Sequence, residues 1–484
     1  MTHWLMPALY LSWFTFLAAA LVLSSACFAY IFLPASAHFV SFWEFLAAGA
    51  LVRLMMVAMG TLHHRLAKQY GERFSSLYQP ERALFHLRWA LRWLPGDLRL
   101  YTLWCQILFR EKQYEQIESV IQQMQYVHPG SDEIETQRAY LALQRWDWPT
   151  ACRLFDRAYR LRRGVAWNDI PERIPVDQPE IQAQGRIETT LVKLQHDAAQ
   201  LAFLRQGDYL PPAFSHLESA YQQILKALAS EVPTASDSKD RFIRLSAAQS
   251  ESIALFYGRN VHISPVPAFP RKTLDPDWNA AEKQAAYLEK DPACIVIDQF
   301  LQPDTAEALL HFCQKSTIWH DDTRPGGYLG AYMDDGFNCE LLYQIADELR
   351  ERMPQVFGDL VLQHMWAYTY ASRKNGIGIH GDNAAVNVNF WITPDDANLE
   401  PGTGGMKVYN VRAPEHWSFE TYNQDTAQIE AYLSEQQAQA ETIAYAHNRA
   451  VIFDGRLFHE TDHFHFADAY LKKRINITLL FDRP

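Results

Sequence analysis

Ala83, Ile117 and Ala151 are spaced by 34 residues, and so are Leu87, Ile121 and Phe155, and Ala90, Met124 and Ala158. Pro95 and Pro129 keep the same period. A repeat of that length holds one helix–turn–helix unit, which buries its apolar face only by stacking on its neighbours. Small residues in two of the columns let helices approach closely, and large apolar residues fill the grooves between them. The stretch LYTLWCQILFREKQYEQIESVIQQMQYVHP reads as one whole unit, with Tyr101, Trp104, Leu108 and Tyr114 at packing positions.

This period resembles the tetratricopeptide repeat, and the resemblance implies a curved helical array over residues 63–165 that binds a protein or peptide partner. The chain has 484 residues, room for roughly two to four domains. Its net charge of −12 argues against nucleic acid as a partner, since such surfaces carry a basic footprint. The six cysteines, Cys27, Cys105, Cys152, Cys294, Cys313 and Cys339, form no C-x-x-C pair, so neither a zinc ribbon nor a disulfide framework is indicated.

The N-terminus differs in kind. From Leu5 to Trp43 there is no Asp, Glu, Lys or Arg. About 20 apolar residues suffice to span a bilayer, so Pro7–Leu33 is expected to be a transmembrane helix. Phe39–Leu62, interrupted by Glu44 and Arg53, is a candidate for a second span or an interfacial helix. Ala35-Ser36-Ala37 matches a signal-peptidase site, but no basic residue precedes the apolar run and that run is too long for a signal peptide. Arg65 and Lys68 follow the second segment, so the positive-inside rule places the rest of the chain in the cytoplasm.

Residues 166–290 read as a helical and proline-rich connector. PERIPVDQP and SEVPTASDSKD are loops, and two segments between them have helical spacing. Beyond residue 291 the pattern changes to short strands: CIVI, MWAYTYA, AVNVNFWIT, GMKVYNV, ETIAYAH, RAVIFDG, LFHETD and INITLLFD. About eight strands broken by Gly, Asn and Asp fit a jelly roll.

Within NGIGIHGDNAAVNVNFWIT, His380 and Asp382 sit one residue apart just before a strand. In extended chain, residues i and i+2 project from one face, so both can reach one metal ion. A third ligand must come from elsewhere. NRAVIFDGRLFHETDHFHF supplies His459 as the favoured candidate and His463 as the alternative. Two histidines and one carboxylate leave positions open on the metal and suit non-haem Fe(II), whereas the lack of thiolates argues against structural zinc. Arg474 follows fifteen residues after His459, and its planar fork suits a bidentate carboxylate. The Asp- and Gly-rich stretch IWHDDTRPGGYLGAYMDDGFN reads as an irregular rim, with a second metal loop as the alternative.

The order His380-Gly381-Asp382, His459, Arg474, with strands and the glycine-led GTGGMKVY between them, resembles the Fe(II)/2-oxoglutarate-dependent dioxygenases of the prolyl 4-hydroxylase kind over about 190 residues. That resemblance implies a double-stranded β-helix over 291–484 and Fe(II) held by His380, Asp382 and His459. It also implies 2-oxoglutarate and O2 as cosubstrates, with Arg474, Tyr370 and Asn476 at the 2-oxoglutarate site. The whole chain is then expected to be multidomain, α plus all-β: a membrane anchor of one or two transmembrane helices over 1–62, repeats over 63–165, the connector over 166–290, and the dioxygenase domain over 291–484. The expected activity is hydroxylation of a protein or peptide side chain by a membrane-anchored, cytoplasm-facing enzyme. The alternatives are a lipid or small-molecule substrate, or a repeat-based scaffold with an inactive oxygenase fold.

Overall fold

The computed structural model describes residues 35–71, 78–169, 185–231, 242–266, 272–322, 327–371, 373–374 and 376–484. The chain divides into two compact units, Met1–Gly130 and Ser131–Pro484. The first contains helices α1 (Ala35–Gly71), α2 (Pro80–Trp93), α3 (Leu98–Arg110) and α4 (Tyr114–Val127). Pro80 opens α2, where its missing N–H costs nothing, and the Asp97 carboxylate caps α3 by accepting from the Arg99 backbone. Ala83, Leu87 and Ala90 on α2 and Ile117, Ile121 and Met124 on α4 are all buried.

The expected transmembrane organisation is corrected here. No helix among the described residues is long and apolar enough to cross a membrane. The first expected span, Pro7–Leu33, lies outside the described residues. The second falls within α1, whose later half serves as the packing partner of α2. Gly60 lies against Leu94, where a Cβ would meet the leucine Cγ at 2.5 Å. His63 stacks on Trp89 at 5.8 Å and pairs with His86, Nδ1 to Nδ1, at 3.0 Å. Arg53, His63, His64, Arg65 and Lys68 make this half polar.

The second unit opens with α5 (Asp132–Gln144) and α6 (Trp148–Arg163), capped by Ser131 and Asp147. Helices thus begin at Pro80, Tyr114 and Trp148, and at Leu98 and Asp132, each 34 residues from its counterpart. A connecting region follows: β1 (Glu188–Thr190) paired with β2 (Phe242–Arg244), and helices α7 (Leu191–Gln206), α8 (Ser215–Glu231) and α9 (Ala247–Ile253). The loops expected at PERIPVDQP and SEVPTASDSKD lie outside the described residues, except for the end of α8.

The remainder is two facing β layers with helices α10 (Ala280–Glu289), α11 (Pro303–Lys315), α12 (Glu340–Arg352) and α13 (Pro354–Phe357) on one side. Strands β3 (Cys294–Ile297), β4 (Tyr328–Tyr332), β5 (Val361–Tyr370), β7 (Val386–Trp391), β10 (Ala450–Asp454) and β13 (Ile475–Asp482) form an antiparallel sheet in the order β3-β10-β7-β13-β5-β4. Strands β8 (Met406–Arg412), β9 (Ala440–Ile443) and β11 (Leu457–Thr461) form a second sheet, and β6 (Arg373–Lys374) pairs with β12 (Phe464–His465). Alternation divides each strand between two cores. Val388 and Phe390 on β7, Ile477 and Leu479 on β13, and Met365 and Ala367 on β5 join the helix-covered core. Trp391, Tyr368 and Tyr370 face inward, against Met406, Val408, Ile443 and Leu457 of the second sheet.

Helix α6 is tied to this domain by Tyr159, whose ring packs on Gly336. That glycine has φ +106°, and a Cβ there would meet the ring at 2.8 Å. The Tyr159 hydroxyl donates to the Thr317 carbonyl at 2.7 Å, so the Nε2–H of His320 donates to it at 2.9 Å. Burial pushes the His320 pKa down to about 3. Its neutral form is therefore favoured in the fold, and the associated stability is complete above about pH 6.5 and lost as pH falls toward 3. Tyr159→Phe leaves a buried N–H without its acceptor and is expected to destabilise the protein by about 1–3 kcal/mol, measured by urea unfolding at pH 7. His320→Gln is expected to flatten the pH dependence of stability between pH 6 and 4 by up to about one proton's worth.

Candidate metal centre

His380 and Asp382 lie in the loop before β7, and His459 lies on β11 where its register against β8 shifts. A bulge of this kind re-aims a side chain. His380 and His459 then pair through their backbones, His380 N–H to His459 O at 3.0 Å and the reverse at 2.8 Å, which sets the two rings 4.3 Å apart. Asp382 joins them: Oδ1 is 3.8 Å from His380 Nε2, and Oδ2 is 3.5 Å from His459 Nε2. One ligand atom from each of the three lies within 4.8 Å of the others. These separations are too long for hydrogen bonds and leave room for a cation between the donors.

Both imidazoles are held in the tautomer a metal requires. His380 Nδ1 is 2.8 Å from the Gly378 carbonyl, and His459 Nδ1 is 2.9 Å from the Leu457 carbonyl. A carbonyl only accepts, so each Nδ1 carries a proton, which in the neutral ring leaves the lone pair on Nε2. Burial, and then the neighbouring His380, lower the His459 pKa to about 4, against the opposing pull of Asp382; the ring is neutral at physiological pH. Asn387 donates to Asp382 Oδ2 at 2.5 Å and fixes the carboxylate. The sequence reading gave Asn387 no role, although an Asn at alternate positions of an apolar strand was the available signal.

The alternative ligand His463 is elsewhere. Its side chain is 56% exposed and pairs with Asp462 at 3.0 Å and Glu400 at 3.6 Å. The Asp-rich stretch 318–338 forms no metal cluster among the described residues. Asp335 pairs with Arg163, and Asp322 accepts from Thr189 and Thr190.

Arg474 is buried just before β13. Its Nε donates to the Gly404 carbonyl at 2.7 Å and its Nη2 to the Gly405 carbonyl at 3.3 Å. Gly404 has φ +84°, and a Cβ at Gly405 would overlap the Ile443 carbonyl, so the GTGGMKVY glycines are what let the chain offer both oxygens. Nη1 donates to Asn476 Oδ1 at 3.2 Å. The rings of Tyr370, Phe464 and Trp391 surround the guanidinium at 4.8, 5.6 and 5.9 Å. Tyr370 is buried, and desolvation raises its pKa against the opposing pull of Arg474. Among the described residues no carboxylate lies within 4.0 Å of Arg474, and desolvation lowers its pKa. The site and this cation share one inner face: Asn387 contacts Asp382 at the start of β7, and Trp391 contacts Arg474 at its end.

No protein-family model matches the chain, and no curated protein matches it. Solved structures give slight likenesses. A Pseudomonas putida prolyl-4-hydroxylase is 16% identical, with 42% of this chain and 99% of that one covered at a TM-score of 0.27. The non-heme alpha ketoglutarate dependent carbocyclase SnoK from nogalamycin biosynthesis is 12% identical, covering 43% and 88% at 0.34. EctD from S. alaskensis is 10% identical, covering 46% and 84% at 0.30. Likenesses this slight carry no argument about function.

Two histidines with free Nε2 atoms and one carboxylate fit a divalent metal of the Fe(II), Mn(II) or Co(II) type. Asp382→Ala is expected to abolish Mn(II) binding, measured by calorimetry, while His463→Ala leaves it unchanged. The reverse pattern would move the metal away from His380 and His459.

Proposed function

We propose that this chain is an Fe(II)- and 2-oxoglutarate-dependent oxygenase, acting as a hydroxylase. The observation that supports it most is the pairing of an open three-ligand face with a buried guanidinium that has no carboxylate partner among the described residues, both on the inner side of β7. His380, Asp382 and His459 would hold the metal, and Arg474 would receive the distal carboxylate of 2-oxoglutarate. Fe(II) held there, with 2-oxoglutarate and O2, supplies oxidation of a C–H bond coupled to decarboxylation of the cosubstrate to succinate.

The protein's own part is orientation and exclusion of water. Gly404 and Gly405 fix two edges of the Arg474 fork, Asn476 holds a third N–H, and Tyr370 packs on the face. The remaining donor capacity points to an incoming anion, since a buried cation is costly until it is paired. Asn387 keeps Asp382 turned toward the histidines. The apolar walls from Trp391, Phe453 and Phe464 lower the local dielectric, which strengthens the charged contact to the cosubstrate.

The substrate class we infer is a protein or peptide side chain. The support is the 34-residue helical period, which we read as tetratricopeptide repeats, whose stacked helices form an extended docking surface. On this reading the helices raise the local concentration of a polypeptide around the metal without adding contacts to it.

Two outcomes test this. Arg474→Ala is expected to weaken 2-oxoglutarate binding to the Mn(II)-loaded protein by roughly 2–5 kcal/mol, about 30-fold or more, in titration calorimetry. Unaltered affinity would move the anchor to another residue. The Ser131–Pro484 unit alone is expected to convert 2-oxoglutarate to succinate as the whole chain does. It should add oxygen to polypeptides of a cell extract less, read by mass spectrometry. Equal polypeptide oxidation by both would favour a small-molecule substrate.

A further inference from the structure

The connection between β8 and β9 carries a short helical hairpin, α14 (Phe419–Gln424) and α15 (Thr426–Glu435), which the sequence reading left without a role. Its apolar core contains Ala413, Tyr422, Ile429 and Leu433, and also Ile379 and Phe458. Those last two immediately precede His380 and His459. Successive side chains in extended chain point to opposite faces, so each histidine that turns toward the metal site sends its neighbour into the hairpin. Both ligand-bearing segments are thus anchored from behind by one small core.

The hairpin also grips the peptide units between the two ligands of the loop. The Gly381 N–H donates to the Tyr422 carbonyl at 2.8 Å, and the Asn423 side-chain amide donates to the Gly381 carbonyl at 2.9 Å. The Tyr422 hydroxyl donates to Asn383 Oδ1 at 3.2 Å. Arg456 lies 4.9 Å from the Tyr422 ring centre and donates to the carbonyls of Ala413 and Pro414 at 3.0 and 2.7 Å, which fastens the start of the hairpin. Gly381 therefore has both its N–H and its C=O bonded to consecutive residues of α14.

We propose that Asn423, with the α14–α15 hairpin that presents it, is a positioning residue for the metal centre: it holds the Gly381 carbonyl so that His380 and Asp382 are spaced for coordination before a metal arrives. This rests on the metal reading above. Asn423 touches neither the ligand atoms nor the cosubstrate site, and acts only through the backbone between two ligands. The chemistry requires a donor at this position, because a carbonyl oxygen only accepts.

The test uses the full chain with Co(II) under anaerobic conditions. The variants are Asn423→Ala, the near-isosteric Asn423→Asp, which offers an acceptor where a donor is needed, and Gln428→Ala on the exposed side of α15 as control. Both Asn423 variants are expected to bind Co(II) about 10- to 100-fold more weakly and to shift its ligand-field absorption bands. Their metal-free melting temperatures should match wild type, and Gln428→Ala should match wild type throughout. Wild-type affinity and bands in Asn423→Asp would overturn the proposal. So would weaker binding with unshifted bands and a lowered metal-free melting temperature, which marks a structural role alone. A wild-type chain that binds no Co(II) would remove the metal reading itself, and this inference with it.

Discussion

Two backbone hydrogen bonds between His380 and His459 hold the site together. They join a loop that leads into the large sheet to a strand of the small one, so the facing of the two layers and the meeting of the two imidazoles are one event. Each ring then donates its Nδ1 proton to the carbonyl two residues earlier in its own segment. The same local device thus operates on both sides of the bridge, and both free lone pairs end up on the inner side. With the Asp382 carboxylate added, two imidazoles and one carboxylate face one another. Burial disfavours protonation of His459, so a proton competes poorly with a metal for that nitrogen.

Arg474 shows the opposite sign of the same physics. Its guanidinium is out of water, and the oxygens that face it belong to backbone carbonyls and an amide, which are dipoles and not counter-charges. Desolvation lowers its pKa for that reason. A dipole cradle holds a cation in place without a directly bonded carboxylate, a state that favours an anionic ligand. Along the same inner face, Asn387 Oδ1, Asn389 Oδ1 and Trp391 Nε1 are buried without a hydrogen-bond partner. Three successive inward side chains of one strand with unmet capacity are uncommon in a packed interior, and they lie between the metal cluster and Arg474.

Much of this site was legible because it is local. The i, i+2 spacing of His380 and Asp382, the strand alternation at 386–391 and the glycines before β8 can all be read within a few residues. The sequence favoured His459 but left His463 open, because the choice turns on the bulge in β11 and on which carboxylate captures the later histidine. Asn387 and Asn423 were missed for different reasons. Asn387 stood in a recognised strand as the polar member of its alternation. Asn423 meets Gly381 only through tertiary packing that no periodicity reports. The second-span reading of Phe39–Leu62 failed because hydropathy scores transfer from water and does not register a neighbouring helix. The His63, His86 and Trp89 contacts make part of α1 a protein-facing surface.

Helices α5 and α6 work at two periods at once. Ala151, Phe155 and Ala158 keep the 34-residue columns, yet Phe155 and Tyr159, with Ala139 and Leu143, also belong to the core that covers the large sheet. Trp146 donates to Asp347 at 2.9 Å and lies under Arg350 at 3.7 Å, and Arg162 and Arg163 reach Asp335. A helix pair that keeps the 34-residue spacing is therefore also bonded to the β layers, through aromatic packing and charged contacts. Breaking Tyr159 away from Thr317 and His320 would expose both a ring bedded on Gly336 and two buried polar groups. This attachment is thus cooperative in a way that a surface contact is not. Whatever α5 and α6 present on their remaining faces is consequently fixed in orientation to the sheet that carries Arg474 and frames the metal cluster.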